Sequence, residues 1–214
     1  MRRVSKKWLG MIVSRVPGFK APKEELEQYV TPPDIVADLV WSAFMSGEIE
    51  GRVVHDLGCG TGRLALASSI LSSKYVVCSD VDEDALSIAG EVLTAGSPAP
   101  HDLVLADLRR APPFRSSDCV VVMNPPFGVK SRGADVDFLK TALTICNTVY
   151  SIHKLSEGFH DVLEEIMRSL NSRYEFLKVV KFPLRASLSK HRKRVIFVDS
   201  VIIRASRNIK DSLT

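Results

Sequence analysis

Apolar and polar positions change rhythm repeatedly along this chain, and each change marks an expected element. Residues 2–15 place Val4, Trp8, Met11 or Ile12 and Arg15 at helical spacing, which predicts a short amphipathic helix closed by Val-Pro-Gly at 16–18. In LEQYVTPPDIVADLVWSAF, Thr31 is placed to cap a second helix. Its first turn would hold Pro32, Pro33 and Asp34, and its apolar face Ile35, Leu39, Val40, Ala43 and Phe44. From there strand-like runs and helical stripes alternate. Strands are expected over 52–58, 75–80, 102–107, 118–123 and 148–154, with helices over 63–71, 82–93, 137–147 and near 157–170. The Pro-rich stretch 109–117 and GVKSRGADV (128–136) have no apolar period and read as loops. Two final strands, YEFLKVVKFPL and RVIFVDSVIIRA, flank a basic segment as an antiparallel pair. Strand and helix in alternation imply an α/β fold: a mostly parallel sheet covered on both faces, ending in an antiparallel hairpin. With no repeat and no linker, residues 1–214 read as one domain: N-terminal helices over 1–50 and a core over 51–214.

Composition narrows the class. At 214 residues, 45% hydrophobic and 25% charged, the chain is long enough to bury one core. No apolar run reaches the length of about 18 that a membrane span needs, and the charged N-terminus lacks a signal-peptide centre, so a cytoplasmic protein is expected. Cys59, Cys78, Cys119 and Cys146 have no metal-ligand spacing and read as reduced core thiols, with no metal site. The net charge of +4 is uneven: Phe176 to Val198 carries seven Lys or Arg and no acid. A mildly acidic body thus bears one basic segment.

DLGCGTG (56–62) joins the first strand to a helix, where doubly wound sheets bind nucleotide-like ligands. A dinucleotide fingerprint counted from Gly58 and Gly60 would need its third glycine at position 63, which is Arg63. Gly58, Gly60 and Gly62 instead stand at spacing two behind Asp56, with no cation inside the turn for a pyrophosphate. A carboxylate there suits a cationic or hydroxyl-bearing ligand. Asp80, 18 residues beyond Gly62, is placed for two ribose hydroxyls, and Asp107, ending the third strand, for an adenine amino group. For any one acid, capping the following helix is the plainer role. Together they fit an adenosine with an amino-acid tail and no phosphate, which is S-adenosylmethionine.

MNPPFG (123–128) completes the pattern. With LEQYVTPP, DLGCGTG, SDVDEDAL, DVDFLKTAL and VYSIHK in order, the whole chain resembles the Rossmann-like class I methyltransferases. It is most similar to the family of the eukaryotic 18S rRNA adenine-N6 methyltransferase and its archaeal relatives. The resemblance implies a seven-stranded sheet and N6 methylation of adenine in small-subunit ribosomal RNA. It implicates Gln28, Thr31, Gly58, Thr61, Asp80, Asp107 and Asn124 in holding the cofactor, with Gln28 and Thr31 closing over it. It also implies a heterodimer with a small zinc-binding, Trm112-like activator protein.

An adenine amine has its lone pair delocalised into the ring and is a poor nucleophile. Oδ1 of Asn124 and the carbonyl of Pro125 can each accept one of its hydrogens, while Pro125 and Pro126, with fixed φ and no N–H, hold the turn open. Phe127 offers a face for the base. No strong base is required, and no His, Asp or Glu lies within four residues of the tetrapeptide. Lys130 and Arg132, and Lys190, Arg192, Lys193 and Arg194, are candidates for phosphate contacts. Other acceptors that fit the same motif are DNA adenine and a protein glutamine, and a non-enzymatic RNA-binding assembly factor is the reading from another class.

Overall fold

The structure, a computed structural model, describes residues 4–109, 118–130, 133–186 and 194–208. Seven strands form one sheet: β1 (Val53–Leu57), β2 (Tyr75–Asp80), β3 (His101–Leu105), β4 (Cys119–Met123), β5 (Thr148–Lys154), β6 (Ser172–Ala186) and β7 (Arg194–Arg207). Their order is β3-β2-β1-β4-β5-β7-β6. The first five run parallel, and β7 pairs antiparallel with both β5 and β6. The central strand β4 is the continuous apolar run CVVVM, buried throughout, as a parallel strand covered on both faces must be. Val120 and Val122 share the core on one face with α2 (Pro33–Met45) and α3 (Arg63–Ile70), against which α1 (Lys6–Val13) packs in turn. Val121 and Met123 meet α5 (Ala134–Ile145) and α6 (Phe159–Ser169) on the other. Helix α4 (Glu83–Gly96) packs along β2 and β3. Among the described residues no helix is long and apolar enough to cross a membrane.

Strands β2 and β5 keep the expected ends, and the parallel core and closing hairpin are as the pattern implied. Three local expectations fail. Helix α1 buries Leu9 and Val13, while Val4 and Met11 stay exposed. Ser5 accepts from the Trp8 amide and so starts the helix at Lys6, and Gly10 lies against Pro33 and Ala37 of α2, which turns the Leu9–Val13 side inward. The loop expected over 128–136 is cut short, because Gly133 at φ +81° turns the chain and Ala134 begins α5. The cap position of α2 belongs to Pro32, which gives no side-chain bond, so Thr31 is released for other work.

A fourth correction concerns the thiols. Cys119 and Cys146 form a disulfide, with Cα atoms 5.2 Å apart, whereas Cys59 and Cys78 are buried and free. Cys119 opens β4 and Cys146 stands just before β5, so the parallel pairing of these strands brings together two residues 27 apart in sequence. Closing a loop of that size restricts the unfolded chain by about 3.5 kcal/mol. Two titratable thiols are therefore expected in the unfolded, unreduced protein and four after reduction. Cys119→Ser with Cys146→Ser should lower stability by a few kcal/mol on this estimate. Four reactive thiols before reduction would mean that the pair is not joined.

Candidate active site

Parallel register sets the site. Leu57 of β1 lies level with Ser79 of β2 and Met123 of β4. The next residue on each strand, Gly58, Asp80 and Asn124, therefore falls on one line at the carboxyl ends. It does so where the strand order reverses, between β1 and β4, the usual crevice for ligands in such sheets. A cavity of about 110 Å³ opens there, with Gly58, Gly60, Asp80, Asp107, Asn124 and Pro126 in its wall. Phe19, Leu26, Glu27 and Gln28 also line it, contributed by the segment that precedes α2.

The glycine turn is held by its own neighbours. Gly58, Gly60 and Gly62 all have positive φ. A Cβ on Gly60 would stand 2.9 Å from Phe19 Cζ, too close for any side chain while that ring keeps its place. The Gly60 amide donates to Asp80 Oδ2 at 2.8 Å and the Asp82 amide to Asp80 Oδ1 at 3.0 Å, so the carboxylate fixes the turn while facing the cavity. Burial raises the Asp80 pKa against those two bonds. Asp56 has a different position from the one its place in the sequence suggested. It is fully buried, is not in the cavity wall, and accepts the Ala65 amide at 2.8 Å, serving the first turn of α3. Thr61 is likewise buried outside the wall.

Asn124 donates through Nδ2 to Thr31 Oγ1 at 3.0 Å. Its Oδ1 is buried at the cavity and has no partner among the described residues. Phe127 is not in the wall. It is 8% exposed and meets Phe182 of β6 edge to face, with ring centres 5.0 Å apart, inside the core. The ring thus anchors the turn, and Pro126 is the member of the tetrapeptide that lines the cavity beside Asn124. Pro125 is buried between them.

The lid segment is pinned at two ends. On the side of β2, Gln28 Nε2 donates to Asp82 Oδ2 at 2.6 Å and Lys23 Nζ reaches Asp82 Oδ1 at 2.5 Å. On the side of the catalytic turn, the Lys130 amide donates to Glu27 Oε1 at 2.7 Å, and Lys130 Nζ lies 3.8 Å from Glu24. Phe19, Lys23, Glu27 and Asp82 carried no recognisable signal in the sequence, except that Asp82 opens a helix, where it does accept the Asp84 amide. Arg132, Lys190, Arg192 and Lys193 lie outside the described residues; Arg194 begins β7. Asp107 lines the cavity and is paired with Arg109 at 3.1 Å.

A second cleft, of about 390 Å³, opens at the other end of β4 and β5. Its Arg52 and Arg204 are engaged by Glu48, at 3.4 and 3.1 Å, while Arg173 and Arg207 also line it, so the cleft keeps a positive balance. His55 comes near Cys119 and Cys146, but both sulfurs are spent in the disulfide.

Sheet order, glycine turn, the acid closing β2 and the Asn-Pro-Pro-Phe turn after β4 define a Rossmann-like class I methyltransferase. Comparison with known proteins gives the same class. Residues 32–158 match the methyltransferase small domain family. The rRNA N(6)-adenosine-methyltransferase METTL5 of Danio rerio is 33% identical over 203 residues, 92% of this chain and 97% of that protein. The Mettl5 protein of Drosophila melanogaster is 36% identical over 196 residues, 83% and 92% of the two chains. The crystal structure of PH1948 from Pyrococcus horikoshii matches with a TM-score of 0.87 at 34% identity, covering 97% of this chain and all of that one. The chain belongs to the METTL5 family of methyltransferases.

S-adenosylmethionine is the cofactor of this enzyme class. The wall fits it: two glycines at positive φ packed closely by Phe138 and Phe19, an acid ending β2 and another two residues beyond β3, and, among the described residues, no cation in the wall except Arg109, itself held by Asp107.

Asp56 yields a test of the turn's electrostatics. Burial first of all, helped by the nearby Asp80, pushes its carboxyl up to about 8, against the bond from Ala65. The unfolded chain has the ordinary value of 3.8. A pKa raised on folding gives stability that is complete below that ordinary value and is lost as pH climbs toward the folded one. Asp56→Asn keeps an acceptor for Ala65 and carries no charge. Its Tm relative to the unmodified protein should rise between pH 5 and pH 8, on the order of 5 °C. A difference that does not change with pH would show that Asp56 titrates normally.

Proposed function

We propose that this protein methylates N6 of an adenine in small-subunit ribosomal RNA, using S-adenosylmethionine and the Asn124 turn. The METTL5 relatives, named as rRNA N(6)-adenosine-methyltransferases, support ribosomal RNA as the substrate, and the small subunit follows the 18S resemblance. The observation that carries the chemistry is the polarity of Asn124: Nδ2 is committed to Thr31, which leaves Oδ1 as the acceptor at the cavity.

Bound, the cofactor supplies an electrophilic methyl on a sulfonium. The chain has to make a weak nucleophile ready for it. Oδ1 of Asn124 accepts one N–H of the adenine amine and the Pro125 carbonyl the other, which draws the nitrogen toward tetrahedral geometry and turns its lone pair outward. Adjacent prolines have no N–H and a fixed φ, so that carbonyl is not consumed by local structure. Asp80 is the acceptor for ribose hydroxyls and Asp107 for the cofactor's adenine amine, and Gly58 and Gly60 allow close backbone approach. Gln28 and Thr31 close the lid. The target adenine has to be single-stranded or flipped, since a stacked base cannot present its amine to such a turn. Lys130 at the mouth and the basic segment before β7 are suited to the neighbouring phosphates.

A small zinc-binding, Trm112-like activator completes this reading. Strand β3 lies at the sheet edge with Leu103 41% and Leu105 60% exposed, a free backbone edge beside an apolar surface that suits strand addition. The isolated chain is expected to be poorly soluble or inactive and to be rescued by co-expression with the activator. Leu105→Asp should block the rescue. A monodisperse, fully active chain alone would contradict it.

Asn124→Ala should abolish methylation, read by mass spectrometry of nucleosides from ribosomal RNA. It should leave binding of S-adenosylhomocysteine within about tenfold, because the lost contacts act in the transition state. Undiminished N6-methyladenosine in that variant would remove the mechanism.

A further inference from the structure

One side chain of the cavity wall carries a charge that no cation among the described residues answers. Glu27 is 6% exposed and lines the cavity. Its Oε1 accepts the Lys130 amide at 2.7 Å, while Oε2 is buried with no partner among the described residues. Among the described residues the nearby cations are engaged elsewhere: Lys130 Nζ faces Glu24, Lys23 is held by Asp82 and Asp84, and Arg109 by Asp107. Glu27 also has φ +50°, in the left-handed region that a side chain adopts at a cost. A buried carboxylate oxygen without a donor is unfavourable, and so is that backbone conformation. Both persist together only where something else holds the residue in place or uses it.

We infer that Glu27 is a cofactor-binding residue whose free oxygen receives the α-ammonium of S-adenosylmethionine. This rests on the reading that the cavity holds that cofactor. The cavity ligand that would best answer a buried negative charge is a cation, and the amino-acid tail carries one; the amine of a target adenine is neutral. Asp56, the carboxylate that the sequence offered for such a cation, is withdrawn from the wall and spent on Ala65. Glu27 fills that role from the lid. The terminal torsion of a glutamate is soft, so Oε2 can adjust to a donor without a change of rotamer well. Through Lys130, which follows the catalytic turn by three residues, the same carboxylate ties the occupied cavity to the loop after Phe127.

The test uses Glu27→Gln, which keeps an oxygen for the Lys130 amide and removes the charge. Binding of S-adenosylhomocysteine and of its analogue lacking the α-amino group is measured calorimetrically for both proteins. S-adenosylhomocysteine should bind the variant at least about tenfold more weakly, the loss expected for one charge-assisted hydrogen bond. The des-amino analogue should bind both proteins equally. Equal losses for the two ligands would mean that Glu27 only shapes the lid, and overturn the proposal. Unchanged affinity for S-adenosylhomocysteine with a raised KM for RNA would place the carboxylate against the target base and overturn it too. If the unmodified protein bound neither ligand, the cofactor reading itself would fall and take this inference with it.

Discussion

The hydrogen bond from Asn124 Nδ2 to Thr31 Oγ1 joins residues 93 apart in sequence, and the site depends on it. A carboxamide can turn either end toward a ligand, and only its oxygen is of use against an amine. By taking the nitrogen, Thr31 decides which end remains. The same bond makes the lid and the catalytic turn one unit, since Thr31 closes the segment that supplies Glu27 and Gln28 to the cavity. It also explains why Thr31 is not a helix cap: Pro32 stands at the cap position of α2, and the buried hydroxyl goes to Asn124 instead.

The sheet provides the frame in which that bond can form. A register of equal steps carries Gly58, Asp80 and Asn124 to one level, and reversal of the strand order opens the space between them. Backbone ladders fix this level independently of any ligand. The lid is held differently, by side chains at its two ends. The Lys130–Glu24 contact is exposed on both sides and contributes little, whereas Lys23 meets Asp82, a side chain only 3% exposed.

How much of this was legible in the sequence follows from where each signal is stored. Strands β2 and β5 and the glycine turn were readable because apolar runs and turn residues act locally, and the edge position of β3 follows from the fold class. Asn124, Asp80, Gly58 and Gly60 were singled out by motif chemistry, and all four line the cavity. The disulfide could not, because the nearness of Cys119 and Cys146 is created by strand pairing and leaves no trace in their spacing. Asp56 and Asp80 look alike as strand-end acids. Only the direction of each side chain separates the one that serves α3 from the one that faces the cavity. Phe127 invited a stacking role, yet Phe182, 55 residues later, claims its edge. The phase of α1 was misjudged for a similar reason: the contact with α2 at Gly10, rather than its own composition, chose the buried side.

A site that works by holding acceptors still must spend structure on immobility, and the Asn-Pro-Pro-Phe turn is fixed three times. The prolines fix φ, Thr31 fixes the carboxamide, and Phe127 fixes the far end by inserting into the core formed with Val180, Phe182 and Leu184 of β6. Burying such a ring contributes about 2–3 kcal/mol and an edge-to-face pair about 1 kcal/mol more. That is enough to keep the turn seated without the help of a ligand. The antiparallel β6–β7 pair therefore backs the Asn-Pro-Pro-Phe turn as well as closing the sheet edge. It supplies the apolar backing against which a strand can stop, turn and hold its polar groups outward. A catalyst that relied on a strong base could tolerate a looser turn, because a base can find its proton from several positions. Two neutral acceptors converging on one nitrogen, as the proposed mechanism has it, cannot, and the rigidity of this segment fits the absence of a base within the motif.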